Sequence, residues 1–515
     1  MRFLALLCAF LCLPGVAQAK WMEASSDHFV VYAEASEASV RKFSEQLESF
    51  HAAMVFLTGA NTLVPSPSNR VTVYVVGSGR QVRALMEGDN ALVAGFYRPR
   101  AGGSIAVVSR ITPGGEKLDF SMIALLHEYA HHFMIASSTF PVPSWLTEGS
   151  AEYYSSASFE RDGHIKIGMP AYHRAGELSY SRDVTVEELL DPAVRQKKQS
   201  GMHDAFYGKS WLFYHYLQSE PGQGEKLKTY YDLLVRGKKP REAGLEAFGD
   251  FKVLEKELDR YLARSSIMTL RLPPDKLKTG PIAVRALGEG EGEVMPYVIR
   301  SRVGVTPEMA DKVVPPVREI AARYPADAAV QTALAEAEFD AGNDQAAIAA
   351  ADAALAIDPK RVNAYVQKGY ALFRMAGDGG KGVTFQDARK PFIALNKLEN
   401  DHPLPLYYYY RGFVEQGTTP PDVAIHGLER AVELAPFDYG LRMTLAMQQI
   451  GAGDWARARA NLGPIAYNPH GGAYADRVRS ALERLDTPGW NGSRAEIMAL
   501  IGGDDVPAEE APPHL

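Results

Sequence analysis

The run His127-Glu128-Tyr129-Ala130-His131 constrains this chain more tightly than any other stretch. On an α-helix, residues four apart share a face, so His127 and His131 can offer imidazole nitrogens to one ion. Glu128, one residue round from that pair, reaches a water on such an ion rather than the ion itself. Downstream, Trp145-Leu146-Thr147-Glu148-Gly149-Ser150-Ala151-Glu152 supplies a carboxylate for a third position and a second carboxylate one turn on. Two histidines, one glutamate and a water make the open four-coordinate zinc site that hydrolysis needs. The plain alternative is a buried amphipathic helix whose histidines share a side without holding an ion.

A chain of 515 residues is too long for one domain, and about three or four are expected. Its 46% hydrophobic and 23% charged residues are ordinary for globular protein, and a net charge of −7 argues against a nucleic-acid partner. Residues 1–19 read as a signal peptide: Arg2, the apolar stretch Phe3 to Leu13, then Ala17-Gln18-Ala19 as cleavage site. No later segment has eighteen continuous apolar residues, so no transmembrane anchor is expected once the leader is cut. Both cysteines, Cys8 and Cys12, lie inside the leader. The mature chain is then cysteine-free, which fits a bacterial periplasmic or secreted location without disulfides. Asn491-Gly492-Ser493 matches a glycosylation acceptor, an accidental match in that setting.

Residues 20–115 alternate strand and helix signals and are expected to form a mixed sheet carrying helices. Val40 to Leu57 has helical spacing through Phe43, Leu47, Phe50 and Met54, while Val71 to Val76 and Ser104 to Val108 read as strands. Residues 116–272 are expected to be the helical catalytic part, with Asp119 and Ser144 as helix caps and Thr185-Val186-Glu187-Glu188 as a capping box. The Gly, Pro and Glu content of 273–305 suggests a linker or small β element. Pro325, Pro359, Pro403, Pro436 and Pro469 then recur at spacings of 34, 44, 33 and 33. With Gly342, Ala347, Ala354, Gly412, Ala424 and Ala431, they suggest tetratricopeptide-like repeats over 306–485, one of them carrying an insertion at Gly377 to Val383. A terminal helix is expected over 486–502 and a disordered acidic tail over 503–515.

HExxH followed by a Glu-x-x-x-Glu helix resembles the gluzincin metallopeptidases, the class of thermolysin and the aminopeptidase N family. The nearer resemblance is to secreted bacterial peptidase MA-like proteins. It rests on Pro143-Ser144-Trp145-Leu146-Thr147-Glu148-Gly149-Ser150-Ala151-Glu152 and Tyr207-Gly208-Lys209-Ser210-Trp211, and covers roughly residues 27 to 265. It implies an α+β, thermolysin-like catalytic domain followed by the all-α repeat domain. It also implies Zn2+ held by His127, His131 and Glu148, Glu128 as general base, and Glu152 bonded to a ligand histidine. Glu148 and Glu152 could exchange roles. Met134 and Ser137 stand where a metzincin would need Gly and His.

Tyr207 is the candidate donor to the transition state, with packing in an aromatic helix as its equal alternative; His203 and His215 are weaker candidates. His132 reads as a packing residue. The resemblance places a substrate-pairing sheet edge at Ser104 to Val108, and the aminopeptidase signature is missing from Arg98 to Arg110, which favours endopeptidase action. The expected activity is peptide-bond hydrolysis on a peptide or protein substrate, with the repeats binding a protein partner. The alternative is a catalytically silent peptidase-like domain on a repeat scaffold for protein–protein interaction.

Overall fold

The computed structural model describes residues 20–86, 95–110, 118–137, 142–191, 194–195, 204–379, 382–468, 471–487, 489–490 and 493–502. The leader, the acidic tail, Pro469, His203, Asn491 and part of the Gly377 to Val383 insertion lie outside them.

A six-stranded sheet forms the N-terminal half. In spatial order it runs β4 (Gly95–Arg98), β5 (Ile105–Val108), β3 (Val71–Val75), β2 (Phe29–Glu34), β1 (Trp21–Ser25) and β9 (Ala283–Ala286). The three middle strands β5, β3 and β2 are parallel, and β4, β1 and β9 pair antiparallel at the flanks. β-Branched and small residues with side chains on both faces suit strands covered on both sides. On one face lies α1 (Glu37–Thr58), capped by Ser36, whose side chain accepts from Ser39 N, and closed by Gly59 at φ 65°. Val40, Phe43, Leu47, Phe50 and Met54 are all buried there, as their spacing predicts.

The same apolar core continues into α3 (Phe120–Ser137), α4 (Ser144–Ser155), and the helices Phe206–Ser219, Gln223–Val235, Pro240–Phe248 and Phe251–Leu262. A small antiparallel sheet of β6 (Ser158–Phe159), β7 (Ile165–Ile167) and β8 (Leu270–Leu272) follows α4 in the chain and joins this core. Asp119 caps α3, accepting from Met122 N at 2.9 Å. The Thr185–Glu188 capping box opens α6 (Val186–Leu190) with both of its bonds made. Ser144 is not a cap: it is the first helical residue of α4, and Pro143 holds the cap position without a side-chain bond.

Of the two expectations for 273–305, the small β element is found and the linker is not. Ala283–Ala286 is the outer strand β9, and Glu289–Val303 is a helix. That helix lays Met295, Ile299 and Val303 on the second face of the sheet, against Tyr74, Ile105, Val107 and, from α2 (Gly79–Met86), Val82. Strand β5 is likewise not an edge: it lies between β4 and β3, so β4 is the outer strand on that side.

From Pro307 onward the chain is a stack of helix pairs, including Ala328–Asp340 with Asp344–Ile357, Val362–Gly377 with Phe385–Leu398, Pro403–Glu415 with Asp422–Leu434, and Tyr439–Ala452 with Trp455–Ala466. Ala335, Ala350, Ala351, Ala354 and Ala364 are buried where the first two pairs meet, so small side chains let the helices close up. Pro359 and Pro436 follow helix ends, while Pro403 starts its helix, where a missing N–H costs nothing.

The helical stack grips the N-terminal half directly. Ser68 donates from its N and Oγ to Glu399 at 2.9 and 2.8 Å, and Asn69 donates to Leu434 O at 2.7 Å. In the β4–β5 loop, Ala101 N donates to Asp438 at 2.7 Å. Helix Glu289–Val303 holds the same region from the other side, with Arg100 of the loop donating to Arg302 O at 2.8 Å and Arg98, the last residue of β4, donating to Val303 O. Ala101 and Ile135, the latter from α3, pack into the aromatic core of Phe373, Phe392 and Tyr408.

Candidate metal centre

α3 and α4 lie against each other, and each turns one polar pair inward. His127 and His131 from α3 are 8% and 6% exposed; Glu148 and Glu152 from α4 are 0% and 1%. Gly149 allows the third helix to close over them. A Cβ there would stand 2.4 Å from Ser210 O, so helix Phe206–Ser219 can touch α4 only across a glycine.

Three donor atoms converge. Nε2 of His127 and Nε2 of His131 stand 3.0 Å apart, and Glu148 Oε2 lies 3.2 Å from the first and 3.4 Å from the second. Donors placed tetrahedrally at zinc bond lengths are about 3.3 Å apart, so this triangle suits such an ion, and two imidazoles with one carboxylate suit its chemistry. Among the described residues, these three are one of two groups able to hold a metal. The other, Glu160, Asp162 and His164, is already neutralised: Arg271 bonds Glu160 and Asp162 at 2.7 and 2.9 Å, and Lys166 bonds Glu160 at 2.6 Å.

The electrostatics favour a cation at the triangle. Burial opposes charge on His127, but its hydrogen bonds to Glu148 and Glu152 prevail and push its pKa up to about 10. Burial raises the Glu148 and Glu152 carboxyls, yet their histidine and arginine partners hold both below the usual range. Two dry carboxylates thus demand positive charge, from a protonated histidine or from a metal ion.

Glu152 stands apart from the triangle. Its Oε1 lies 3.1 Å from His127 Nδ1, on the opposite side of that ring, and accepts from Arg174 at 2.5 Å. Its Oε2 lies 2.6 Å from His173 Nε2. With both oxygens engaged in this way, Glu152 fits the role of orienting an imidazole. His173 and Arg174 escaped sequence reasoning; they follow Glu152 by 21 and 22 residues at no motif spacing.

Glu128 is half-buried beside the triangle, on the same helix. Tyr207, also half-buried, lies within electrostatic reach of Glu148, Glu152 and Glu128. Burial first, then Glu148, raises its pKa, with Arg174 opposing, so its hydroxyl keeps its proton at neutral pH. His215 belongs to the core: its ring bonds Tyr261 and Gly168 O at 2.9 and 2.8 Å. His132 bonds the Tyr97 hydroxyl at 2.5 Å and lies 4.3 Å from the Phe437 ring, a packing role as its position beside His131 suggests. No helix among the described residues is long and apolar enough to cross a membrane.

No protein-family model matches the sequence, and no curated protein matches it. Solved structures similar to part of the chain are tetratricopeptide-repeat and related proteins. A thermophilic repeat protein of Thermus thermophilus is 18% identical, covers 38% of this chain and 99% of its own, and gives a TM-score of 0.31. MamA is 16% identical over 34% of this chain and 92% of its own, with a TM-score of 0.27. YrrB, described as a tetratricopeptide protein with an unusual peptide-binding site, is 19% identical over 36% and 90%, again at 0.27.

Proposed function

We propose that this chain is an exported zinc-dependent peptidase of the gluzincin type, acting within peptide or protein chains. The observation that carries the proposal is the buried triangle of His127, His131 and Glu148, with Glu152 behind the His127 ring. A zinc ion bound there would polarise the scissile carbonyl and lower the pKa of a water from 15.7 to about 7. Glu128 takes the proton of the attacking water and delivers it to the departing amine. Glu152 holds the His127 ring through Nδ1, which leaves Nε2 free to face the ion. Tyr207 keeps its proton and offers an O–H to the oxygen on which charge develops.

Strand β4, the outer strand of the sheet, has an edge that an extended substrate backbone could join, and its Tyr97 reaches α3 through His132. The experiment is zinc stoichiometry together with cleavage of labelled casein by the mature chain and by Glu128→Gln. About one zinc per chain is expected, with cleavage lost in the variant. No zinc after reconstitution would end the peptidase reading.

A second reading takes the helical stack as the working part, a scaffold for protein–protein interaction carrying a silent peptidase-like domain. The long run of helix pairs supports it. A zinc-loaded wild type that cleaves no protein, while capturing a partner through residues 306–485, would favour it.

A further inference from the structure

Beyond β7 the chain makes one tight turn, Tyr172–Arg174, and runs directly into α5 (Ala175–Tyr180). Four residues of this short segment pack on Glu152 or on the Tyr207–Gly208 pair. Arg174 donates to Glu152 Oε1 at 2.5 Å, and the centre of its guanidinium lies 4.7 Å from the centroid of the Tyr207 ring. His173 bonds the other Glu152 oxygen at 2.6 Å. Glu177 accepts from Gly208 N at 3.0 Å, at the residue next to Tyr207. Leu178 occupies the space a side chain at 208 would need, since a Cβ there would stand 2.7 Å from Leu178 Cγ.

A guanidinium is planar, donating along its edge while its face covers an aromatic ring. Arg174 uses both at once: the edge fixes the carboxylate behind His127, and the face seats Tyr207. Resting on the peptidase reading above, we propose that Arg174 is a positioning residue that sets Tyr207 against the metal ligands, with Glu177 anchoring the Tyr207 backbone from the same segment.

Lysine separates the two actions, because an ammonium can still donate to Glu152 but has no face to stack. The test uses the full mature chain labelled with 3-fluorotyrosine, the Tyr207 resonance being the one lost in Tyr207→Phe. Zinc affinity is measured on the same samples by chelator competition. Arg174→Met should raise the zinc Kd by about 10–100-fold and move the Tyr207 resonance. Arg174→Lys should bind zinc nearly as tightly as wild type yet still move that resonance, and Glu177→Leu, which removes the acceptor for Gly208 N, should do the same. If Arg174→Met fails to fold, Arg174→Lys and Glu177→Leu carry the test. An unmoved Tyr207 resonance in the folded variants, or a wild-type zinc Kd in folded Arg174→Met, overturns the assignment. Wild-type protein that binds no zinc is a different result: it removes the peptidase reading and this inference with it.

Discussion

Glu152 Oε1 stands 3.1 Å from Nδ1 of His127, while Nε2 of the same ring faces Glu148 and His131. The ring therefore has one nitrogen for orientation and one for an ion. Removing the orienting carboxylate should weaken zinc binding without removing a ligand. Glu152→Ala is expected to raise the zinc dissociation constant by about 10–100-fold, measured by chelator competition. Equal constants in the two proteins would take Glu152 out of the site.

Glu128 contributes chemistry rather than structure. Glu128→Gln keeps the shape of the side chain and leaves His127, His131 and Glu148 in place. Zinc content should be unchanged and the rate of casein cleavage should fall by a factor of about 100 to 10,000. Undiminished cleavage would assign the base elsewhere.

The N-terminal half should not survive removal of the segments C-terminal to Leu272. Cutting there deletes β9 and helix Glu289–Val303, uncovering Tyr74, Val82, Ile105 and Val107 on one face of the sheet. It also deletes every repeat contact to the β4–β5 loop. A chain of residues 20–272 is expected to aggregate, whereas one carried through the repeats stays monodisperse in size-exclusion chromatography. A monomeric, zinc-loaded 20–272 fragment would show that the halves are separable.

Phe437 joins the repeats to the HExxH helix, its ring 4.3 Å from His132 and 3% exposed. Phe437→Ala should cost about 3 kcal/mol in denaturant unfolding, as large-to-small core changes do. It should also weaken zinc binding, because the ring packs on His132, the residue after His131 in the helix. Loss of stability with unchanged zinc affinity would confine Phe437 to packing.

His402 supplies a pH test. It is 1% exposed and accepts from Leu404 N, and burial lowers its pKa from 6.5 to about 4, with Glu399 opposing. The unfolded chain therefore takes up this proton first. Its contribution is intact above pH 6.5 and is lost progressively as pH falls towards 4. At pH 5, 1.5 units below the ordinary value, the loss is about 2 kcal/mol. His402→Asn preserves a side-chain cap and cannot protonate. The fall in unfolding free energy between pH 7.5 and pH 5 should be smaller in that variant by this amount; an equal fall would mean that His402 does not titrate there.

How much of this was legible beforehand depends on whether geometry leaves a period in the residues. An ion needs donors one helical turn apart, so His127, His131, Glu148 and Glu152 announce both helices and the faces that meet. Helix pairs need small residues and stops at a repeat length, so the stack from Pro307 was legible too. In 273–305 a small β element was legible, but the helix and the place of the strand in the large sheet were not. Gly290, Gly292 and Pro296 are poor helix residues, yet they lie inside Glu289–Val303, where packing on the sheet overrides propensity. β9 is four residues long and mostly exposed, too short to show an alternating pattern. Arg174 and His173 act through contacts set by a turn, and a turn of that kind leaves no spacing to read.

The grip of the repeats on the first half also orders events in time. The bonds from Asn69 to Leu434 and from Ala101 to Asp438 span 365 and 337 positions. A polypeptide made from its amino end completes both zinc-candidate helices long before those partners exist, and such distant closures are slow to form. The β4–β5 loop, which follows the strand whose Tyr97 bonds His132 of the HExxH helix, is thus set only when nearly the whole chain has been made. A nascent peptidase of this design would stay harmless to its surroundings until its own synthesis is almost finished.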